Sequence, residues 1–198
     1  MFIGSNNSLT YLKPNNDWFE NIFNLGKCQE VDYETQYLFY GVRLFDFKLF
    51  VDHNNHIIVK NGIYEYPMFS FYEILDFLNK KGDAIVLITL DTPYWHYSKH
   101  MVKLVEDRFK EICRIIESIY EYVWFCGGYG QYNGKKLYKF DWEEKNEMPT
   151  LVKPCDHSRL YRFVTKWCPM FIGKLNRKYI KRFEDKNVYL MLNYVNRR

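Results

Sequence analysis

The sequence predicts an α/β fold, either a short TIM-type (β/α) barrel or an open doubly wound sheet. Short apolar runs such as 85–90 are typical of strands that are covered on both faces. Amphipathic segments such as 98–119 separate these runs, which indicates parallel βαβ units. With 198 residues a barrel would be a short one, because a complete barrel usually needs about 250. In either architecture the loops at the carboxyl ends of the strands carry the function.

The first half of the chain predicts strands grouped around one central segment. Residues 40–48 are rich in aliphatic and aromatic side chains, as a buried strand is. Residues 51–55 predict a turn with Asn54 and Asn55 at its tip, so that the return over 56–59 forms a tight strand pair. The expected strands are 2–5, 40–48, 56–59 and 84–90, and the expected helices are 17–24, 33–40 and 69–79.

The second half of the chain predicts one long helix followed by shorter elements. Apolar residues recur at helical spacing over 98–119, with Val105, Phe109 and Ile112 on the inner stripe. Residues 131–148 are polar, aromatic and irregular, and no element is predicted there. The expected strands are 122–126, 150–153 and 187–195, and the expected helices are 157–166 and 175–183.

Composition favours one globular domain over residues 1–198. Hydrophobic residues make up 47% of the chain and charged residues 26%, which excludes a disordered chain. The net charge of +4 is compatible with an anionic lipid surface or a phosphate ligand, and no nucleic-acid partner is expected. No apolar run is long enough to span a bilayer, and no signal peptide is seen, so we expect a cytoplasmic protein.

The five cysteines do not predict a disulfide framework or a zinc site. They are odd in number and widely spaced, and free thiols fit a reducing compartment. Cys155 and His157 could supply two zinc ligands, but nothing nearby in the sequence completes the site. An ordinary loop is the better interpretation of that pair.

Polar side chains gather where the predicted strands end. Because a barrel brings these ends to one rim, the convergence indicates a site, although polar residues also collect wherever strands stop. Asp46 and Lys48 share one face of the central strand, while Phe45 and Phe47 take the other. Asp46 and Lys48 could equally form a structural ion pair. The strand-end residues are Asn6, Asn7, Asp46, Lys48, Asn61, Asp91 and Asn193.

Four segments together resemble the X region of the phosphatidylinositol-specific phospholipase C family. They are 1–11, 40–48, 57–62 and 85–91, and their order and spacing match across the first half of the chain. That family has a Ser-His-(Asn/Asp)-type motif on its first strand, Gly-x-Arg followed by acidic residues on its second, and His-Gly on its third. Residues 187–195 are similar to its last barrel strand, which often carries an Asp near the position of Asn193.

The resemblance implies a distorted, short barrel of the PLC-like phosphodiesterase kind and cleavage of a phosphoric diester. In the family, one His removes the proton from the attacking inositol hydroxyl, and a second His protonates the departing diacylglycerol oxygen. Asn6 and Asn61 stand at these two positions, and an asparagine cannot shuttle a proton near neutral pH. Losing one general acid or base typically costs about 10²–10⁴ in rate, so the chemistry should be impaired.

The resemblance also implies how charge would be handled at the site. Lys48 falls near the arginine of the bacterial enzymes and keeps its charge, but it lacks the bidentate fork. Asn7, Asp46 and Asp91 fall where the calcium-dependent enzymes place oxygen ligands. Lys48 stands where those enzymes have another carboxylate, and its ammonium would repel calcium. No cofactor is expected, and calcium would at most bind weakly.

Five residues are expected to contact the substrate, beside the family's catalytic positions Asn6, Asn61, Asp46 and Lys48. His96 is the one candidate for a relocated acid or base, because its loop follows the fourth strand on the correct side. His53 and His56 flank the hairpin tip, which we expect to lie away from the rim. The expected substrate-binding residues are Asn7, Lys60, Asp91, Asn193 and His96.

Three functions therefore remain open. The favoured one is a degenerate relative that binds a phosphorylated polyol, a phospholipid headgroup or a protein partner without cleaving it, the last as a protein-interaction module on a barrel scaffold. The second is an active phosphodiesterase that uses a non-standard residue such as His96. The third is an unrelated α/β protein whose match to the family is accidental. The basic face formed by Arg177, Lys178, Lys181 and Arg182 is most often just solvated, but it could touch anionic headgroups at a membrane surface.

Overall fold

The structure is a computed structural model that describes most of the chain. The helix expected over 17–24 lies outside the described residues. The described residues are 1–6, 8, 10–12, 28–52, 54, 56–61, 64–90, 99–120, 124–125, 129–132, 135–139, 150–154 and 158–197.

Strands and helices alternate along the chain, as the sequence predicts for parallel βαβ units. The strands are β1 Phe2–Ser5, β2 Val42–Val51, β3 Ile57–Asn61, β4 Tyr64–Tyr66, β5 Ile85–Leu90, β6 Trp124–Phe125, β7 Tyr129–Tyr132, β8 Lys135–Lys139, β9 Leu151–Val152 and β10 Tyr189–Leu192. The helices are α1 Tyr33–Leu38, α2 Met68–Lys81, α3 Lys99–Ile119, α4 Arg159–Trp167 and α5 Ile172–Phe183, with a 3₁₀ turn at Pro169–Phe171 between the last two.

The central sheet is built on a run of parallel strands in the order β6-β5-β2-β1-β10-β9. β2 lies in the middle because its backbone pairs on both edges, with β1 through Val42, Leu44 and Phe45 and with β5 through residues 44–49. β10, at the end of the chain, returns to pair with β1 at its start. The first and last strands of the chain are therefore neighbours.

β2 is longer than the sequence predicts, and this changes where its charged residues lie. The strand continues to Val51, and β3 runs back antiparallel beside its last residues, so the predicted strand pair is confirmed. β4 extends this hairpin with a third antiparallel strand. The hairpin projects beyond the carboxyl end of β5, whose Leu90 pairs with Leu49. His56 therefore lies on the side of the strand ends, and our expectation that the tip points away from that side is wrong.

The helices cover one face of the sheet, and the main core lies between them. Phe45, Phe47 and Leu49 point to this face and are buried with apolar residues of α2 and α3 such as Phe71 and Phe109. The alternation predicted for the central strand is therefore confirmed. α2 ends at Gly82, whose positive φ of 72° closes the helix with a left-handed residue.

The opposite face of the sheet, which we call the concave face, has an apolar floor. Leu44, Leu87 and Met191 form a buried cluster there, from three different strands. Gly4 of β1 lies under this cluster, and a Cβ at that position would come within 2.3 Å of the Met191 sulfur. The Met191 side chain would therefore have to move to admit a Cβ at position 4. The cluster seals the concave face below the strand ends, as side-chain layers do in barrels.

One ion pair reaches across two strands of the sheet. Lys153 directly follows β9 and Asp46 lies on β2, with β10 and β1 between them. The Lys153 Nζ is 3.6 Å from the Asp46 Oδ2, so the two side chains lean towards each other over this face of the sheet. Among the described residues the run of parallel strands ends at β6 and β9.

The second half of the chain differs from its prediction in two places. β7, which begins two residues before the segment left without an element, and β8 form a separate two-stranded antiparallel sheet. The last predicted helix begins earlier, at Ile172, because the 3₁₀ turn leads directly into it.

No helix among the described residues is long and apolar enough to cross a membrane. Cys28, Cys113 and Cys168 are free thiols.

Candidate functional site

Asn6 and Asn193 meet at the carboxyl ends of neighbouring strands. The Asn6 side chain is buried, and its Nδ2 donates a hydrogen bond to the Asn193 Oδ1 at 2.6 Å. β1 and β10 are paired up to Ser5 and Leu192, so the residue that follows each strand comes to the same place. Gln29 fastens both strand ends, since its Nε2 donates to the carbonyl oxygens of Asn6 and Leu192 at 3.0 and 2.9 Å. The convergence that the sequence predicts is present for this pair.

A buried polar network holds Asn193 from the side of α4 and α5. The Asn193 backbone N–H donates to the Tyr161 hydroxyl at 3.1 Å, and that hydroxyl donates to the Asn176 Oδ1 at 2.7 Å. The Asn193 Nδ2 donates to the Thr165 Oγ1 at 3.2 Å, while the Thr165 hydroxyl donates to the Tyr161 carbonyl at 2.9 Å. Both ends of the Asn193 amide are therefore engaged, and its orientation is set by α4.

Asp46 is completely buried on the concave face, in the middle of β2. Its backbone N–H donates to the Ser8 Oγ at 3.0 Å, and its carbonyl accepts from the Ser8 N–H at 2.8 Å. Ser8 thus fills the gap along the edge of β2 between β1 and β3. The carboxylate pairs with Lys153, and not with Lys48 as the structural interpretation of the sequence supposed. The prediction that Asp46 lies at a strand end is wrong, because β2 runs five residues further.

Lys48 lies two residues beyond Asp46 on the same face, also within β2. It is half-buried, and among the residues that the structure describes it forms no ion pair. Phe50 follows on the same face, and the Lys60 Nζ lies 4.3 Å from the centroid of its ring. The Lys60 Nζ is also 3.1 Å from the Glu65 Oε1 across the β3–β4 hairpin. Lys60 is therefore already neutralised, whereas the Lys48 ammonium remains available to an anion.

Several of the predicted site residues cannot be placed with these. Asn7, Asp91 and His96 lie outside the described residues, as do Cys155 and His157. Asn61 is the last residue of β3, and its backbone pairs with that of Tyr64. The Asn61 side chain lies outside the described part of the structure. His56 is mostly exposed, and its Nδ1 is 3.3 Å from the Asp52 Oδ2, within the hairpin tip.

Sequence reasoning missed Lys153, Tyr161 and Thr165. Lys153 directly follows the short strand 151–152, so the rule that strand-end residues converge applied to it as well. The two α4 residues gave no such signal, because they lie on the buried face of an amphipathic helix and resemble ordinary core positions. Their role depends on α4 lying across the end of β10, which no local pattern predicts.

The assembled residues form what we call the concave-face cluster: Asn6, Asp46, Lys48, Lys153 and Asn193. Two ammonium groups and one carboxylate leave a net positive site that suits a phosphate. The amides can donate to and accept from hydroxyl and phosphate oxygens, but they do not titrate near neutral pH. Within the described part of the chain, no three His, Cys, Asp or Glu side chains gather as a metal site would require.

The comparison with solved structures agrees with this architecture. No protein-family model matches the sequence, and no curated protein matches it. Two structures of phosphatidylinositol-specific phospholipase C from Staphylococcus aureus are similar, one with pentafluoro-Phe incorporated and one a mutant. Each is 16% identical, covers 98% of this chain and 85% of its own, and gives a TM-score of 0.52 or 0.53. The chain therefore has a mixed α/β fold that is structurally similar to that of phosphatidylinositol-specific phospholipase C.

Proposed function

We propose that residues 1–198 form one PLC-like phosphodiesterase domain that binds a phosphorylated polyol or phospholipid headgroup on its concave face and turns it over weakly or not at all. The buried hydrogen bond between Asn6 and Asn193 carries this proposal. Cleavage would need a side chain that transfers a proton at this end of the strands. Two side-chain amides stand there instead, and an amide cannot transfer a proton near neutral pH. The similarity in fold to a phospholipase C supports the hypothesis that the chain is a relative of that family. It does not indicate whether the chain cleaves a substrate.

Binding would rest on the lysines of the concave-face cluster. Lys153 lies beside the buried Asp46, which fixes its ammonium over the concave face. Lys48 adds a second cation on the same face, without an ion-pair partner among the described residues. A phosphate between them would gain charge-assisted hydrogen bonds, each worth about 1.5–3 kcal/mol. The amide groups nearby suit the hydroxyls of a polyol ring.

Restoring the two histidines tests the proposal directly. We expect Asn6→His/Asn61→His to gain cleavage of a phosphatidylinositol analogue over a parent that shows none, because the Asn193 Oδ1 can accept from an imidazole N–H as it does from Asn6. If the parent already cleaves, the binding-only reading is wrong, and His96→Ala would test the active alternative. A parent that neither cleaves nor binds would contradict the proposal altogether.

Binding itself is measured with a soluble inositol phosphate by titration calorimetry. Lys48→Gln should weaken binding roughly ten- to a hundredfold through the loss of one charge-assisted contact. Lys103→Gln is the matched control, because Lys103 is exposed on α3 on the far side of the helix layer. Equal affinities for the two variants would show that Lys48 does not contact the ligand.

A further inference from the structure

α3 exposes a second stripe of side chains beside the one that it buries in the core. Leu104, Ile115 and Ile119 of this stripe are 46%, 48% and 61% exposed. Arg108 and Glu111 lie between Leu104 and Ile115, so that the five residues recur every three or four positions along one side of the helix. We call these five residues the α3 stripe. The spacing of its first four members is that of the contact positions in a pair of packed helices.

Two opposite charges stand in the middle of the α3 stripe. The Arg108 Nη1 donates to the Glu111 Oε2 at 2.6 Å, and both side chains remain partly exposed. The Arg108 Nε has no hydrogen-bond partner among the residues that the structure describes. A guanidinium group has five N–H donors in a planar fork, so Arg108 can bind a second carboxylate while it keeps the first. The pair therefore retains donors for a further acceptor.

The α3 stripe is complementary to itself when a second copy of the helix runs antiparallel to it. A two-fold axis between positions 109 and 110 places Leu104 opposite Ile115 of the partner subunit. The same axis places Arg108 opposite Glu111 of the partner subunit, and each contact occurs twice. The centre of the contact then holds four alternating charges with an apolar pair on either side. A parallel arrangement is disfavoured, because it would set Arg108 against Arg108 of the partner subunit.

Other occupants fit the α3 stripe less well than a second copy does. The charges of Arg108 and Glu111 cancel, and the exposed residues beside the stripe carry both signs, as Asp107 and Arg114 do. An anionic membrane or a nucleic acid would be attracted by a surface of one positive sign. Scattered apolar residues need no partner, but here they flank a charge pair that matches its own copy.

We propose that the protein forms a two-fold dimer in solution through antiparallel contact of the α3 stripes. α3 belongs to the helix layer that covers one face of the sheet, whereas the concave-face cluster lies on the opposite face. Each copy therefore keeps its concave face open in the dimer. The inference does not depend on the proposed function, because the contact involves none of the residues assigned to ligand binding.

Sedimentation equilibrium of the full chain tests the dimer. We expect the mass to rise with concentration from the 24.3 kDa of one chain towards twice that value. Leu104→Ser/Ile115→Ser should raise the dissociation constant at least about tenfold, because apolar burial at both ends of the contact is lost. Leu38→Ser/Phe39→Ser is the matched control and should dimerise like the parent. It removes another exposed apolar pair, which lies between α1 and β2.

An exchange of charges tests the antiparallel register. Arg108→Glu leaves only carboxylates at the centre of the contact, and Glu111→Arg leaves only guanidinium groups. Each variant alone should therefore show a dissociation constant at least about tenfold above that of the parent. Mixed in equal amounts, the two should form a heterodimer, because opposite charges alternate again, and this recovery also shows that each variant is folded. Arg114→Glu changes an exposed charge of α3 outside the stripe and should dimerise like the parent.

Three results would overturn the dimer. The parent would remain a monomer up to about 100 μM, where even weak specific interfaces associate. The parent would dimerise while the changes in the α3 stripe leave its dissociation constant unaltered, which places the contact elsewhere. The two charge variants would fail to associate when mixed. A dimer that behaves as expected but binds no soluble inositol phosphate would contradict the proposed function alone.

Discussion

At the scale of single residues, one hydroxyl explains why position 193 carries an amide. Thr165 donates its proton to the Tyr161 carbonyl, so its oxygen is left as an acceptor. A donor is therefore needed from the neighbouring side chain, and the Asn193 Nδ2 supplies it at 3.2 Å. An aspartate there would place two acceptors against each other. The amide at position 193 is thus matched to its contact with α4.

Asn176 is the residue on which the stability of this network depends most. Its Nδ2 lies within hydrogen-bonding distance of the carbonyl oxygens of Asn193, Tyr194 and Arg197, at 3.0, 3.3 and 3.2 Å. We expect Asn176→Ala to lower the free energy of unfolding by roughly 2–3 kcal/mol, because buried carbonyls lose their donor. Urea denaturation measures this, with Lys174→Ala on the exposed side of α5 as the control. A loss equal to that of the control would show that the network adds no stability.

At the scale of elements, a hydrogen bond between Tyr120 and Asp76 joins the end of α3 to α2. Tyr120 follows α3 directly and is buried, and burial together with a hydrogen bond to Asp76 of α2 raises its pKa to about 12. The neutral phenol is thus favoured in the folded protein. Because the unfolded tyrosine titrates near pH 10, folded and unfolded chains differ in protonation between these two pH values.

The stability of the protein should fall as the pH rises from about 10 to 12. In that window the folded state keeps the Tyr120 proton and the unfolded state loses it, so a rise in pH favours unfolding. This group alone lowers the free energy of unfolding by up to about 1.4 kcal/mol per pH unit. Tyr120→Phe should flatten the fall in urea midpoints across the window. Tyr179→Phe, on α5, serves as the comparison, and an unchanged slope in Tyr120→Phe would refute the assignment.

At the scale of the whole molecule, Lys153 and Asp46 meet across two intervening strands of the sheet. The two residues lie on strands separated by two others, yet their charged atoms are 3.6 Å apart. Asp46 is fully buried, while the Lys153 side chain keeps 21% of its surface exposed. A buried carboxylate that loses its cation remains a desolvated charge, so the cost of removing one partner exceeds the net worth of the pair.

Lys153→Met should therefore destabilise the fold by roughly 1–3 kcal/mol. Asp46→Asn/Lys153→Met should lose less than Lys153→Met alone, because the buried negative charge is removed together with its cation. The measurement is urea denaturation of both variants beside Lys80→Met, which changes an exposed lysine on α2. If the double variant is the less stable of the two, the pair does not act as described.

Much of the fold and part of the site follow from local patterns. The faces of β2, the hairpin after it and the long helix are predicted because burial leaves a period in the sequence. Asn6, Asp46 and Asn193 are identified because polar residues interrupt or follow apolar strands. The length of β2 is misjudged, since Leu49, Phe50 and Val51 continue the strand while the polar Asp46 and Lys48 suggest its end.

The sequence by itself determined the alternation of strands and helices and the two faces of β2. Only the tertiary structure decided that Lys153 and not Lys48 pairs with Asp46, and that α4 orients Asn193. The physical reason is separation along the chain: Asn6 and Asn193 are 187 residues apart. Burial periodicity is local, whereas such contacts exist only once the first and last strands of the chain pair.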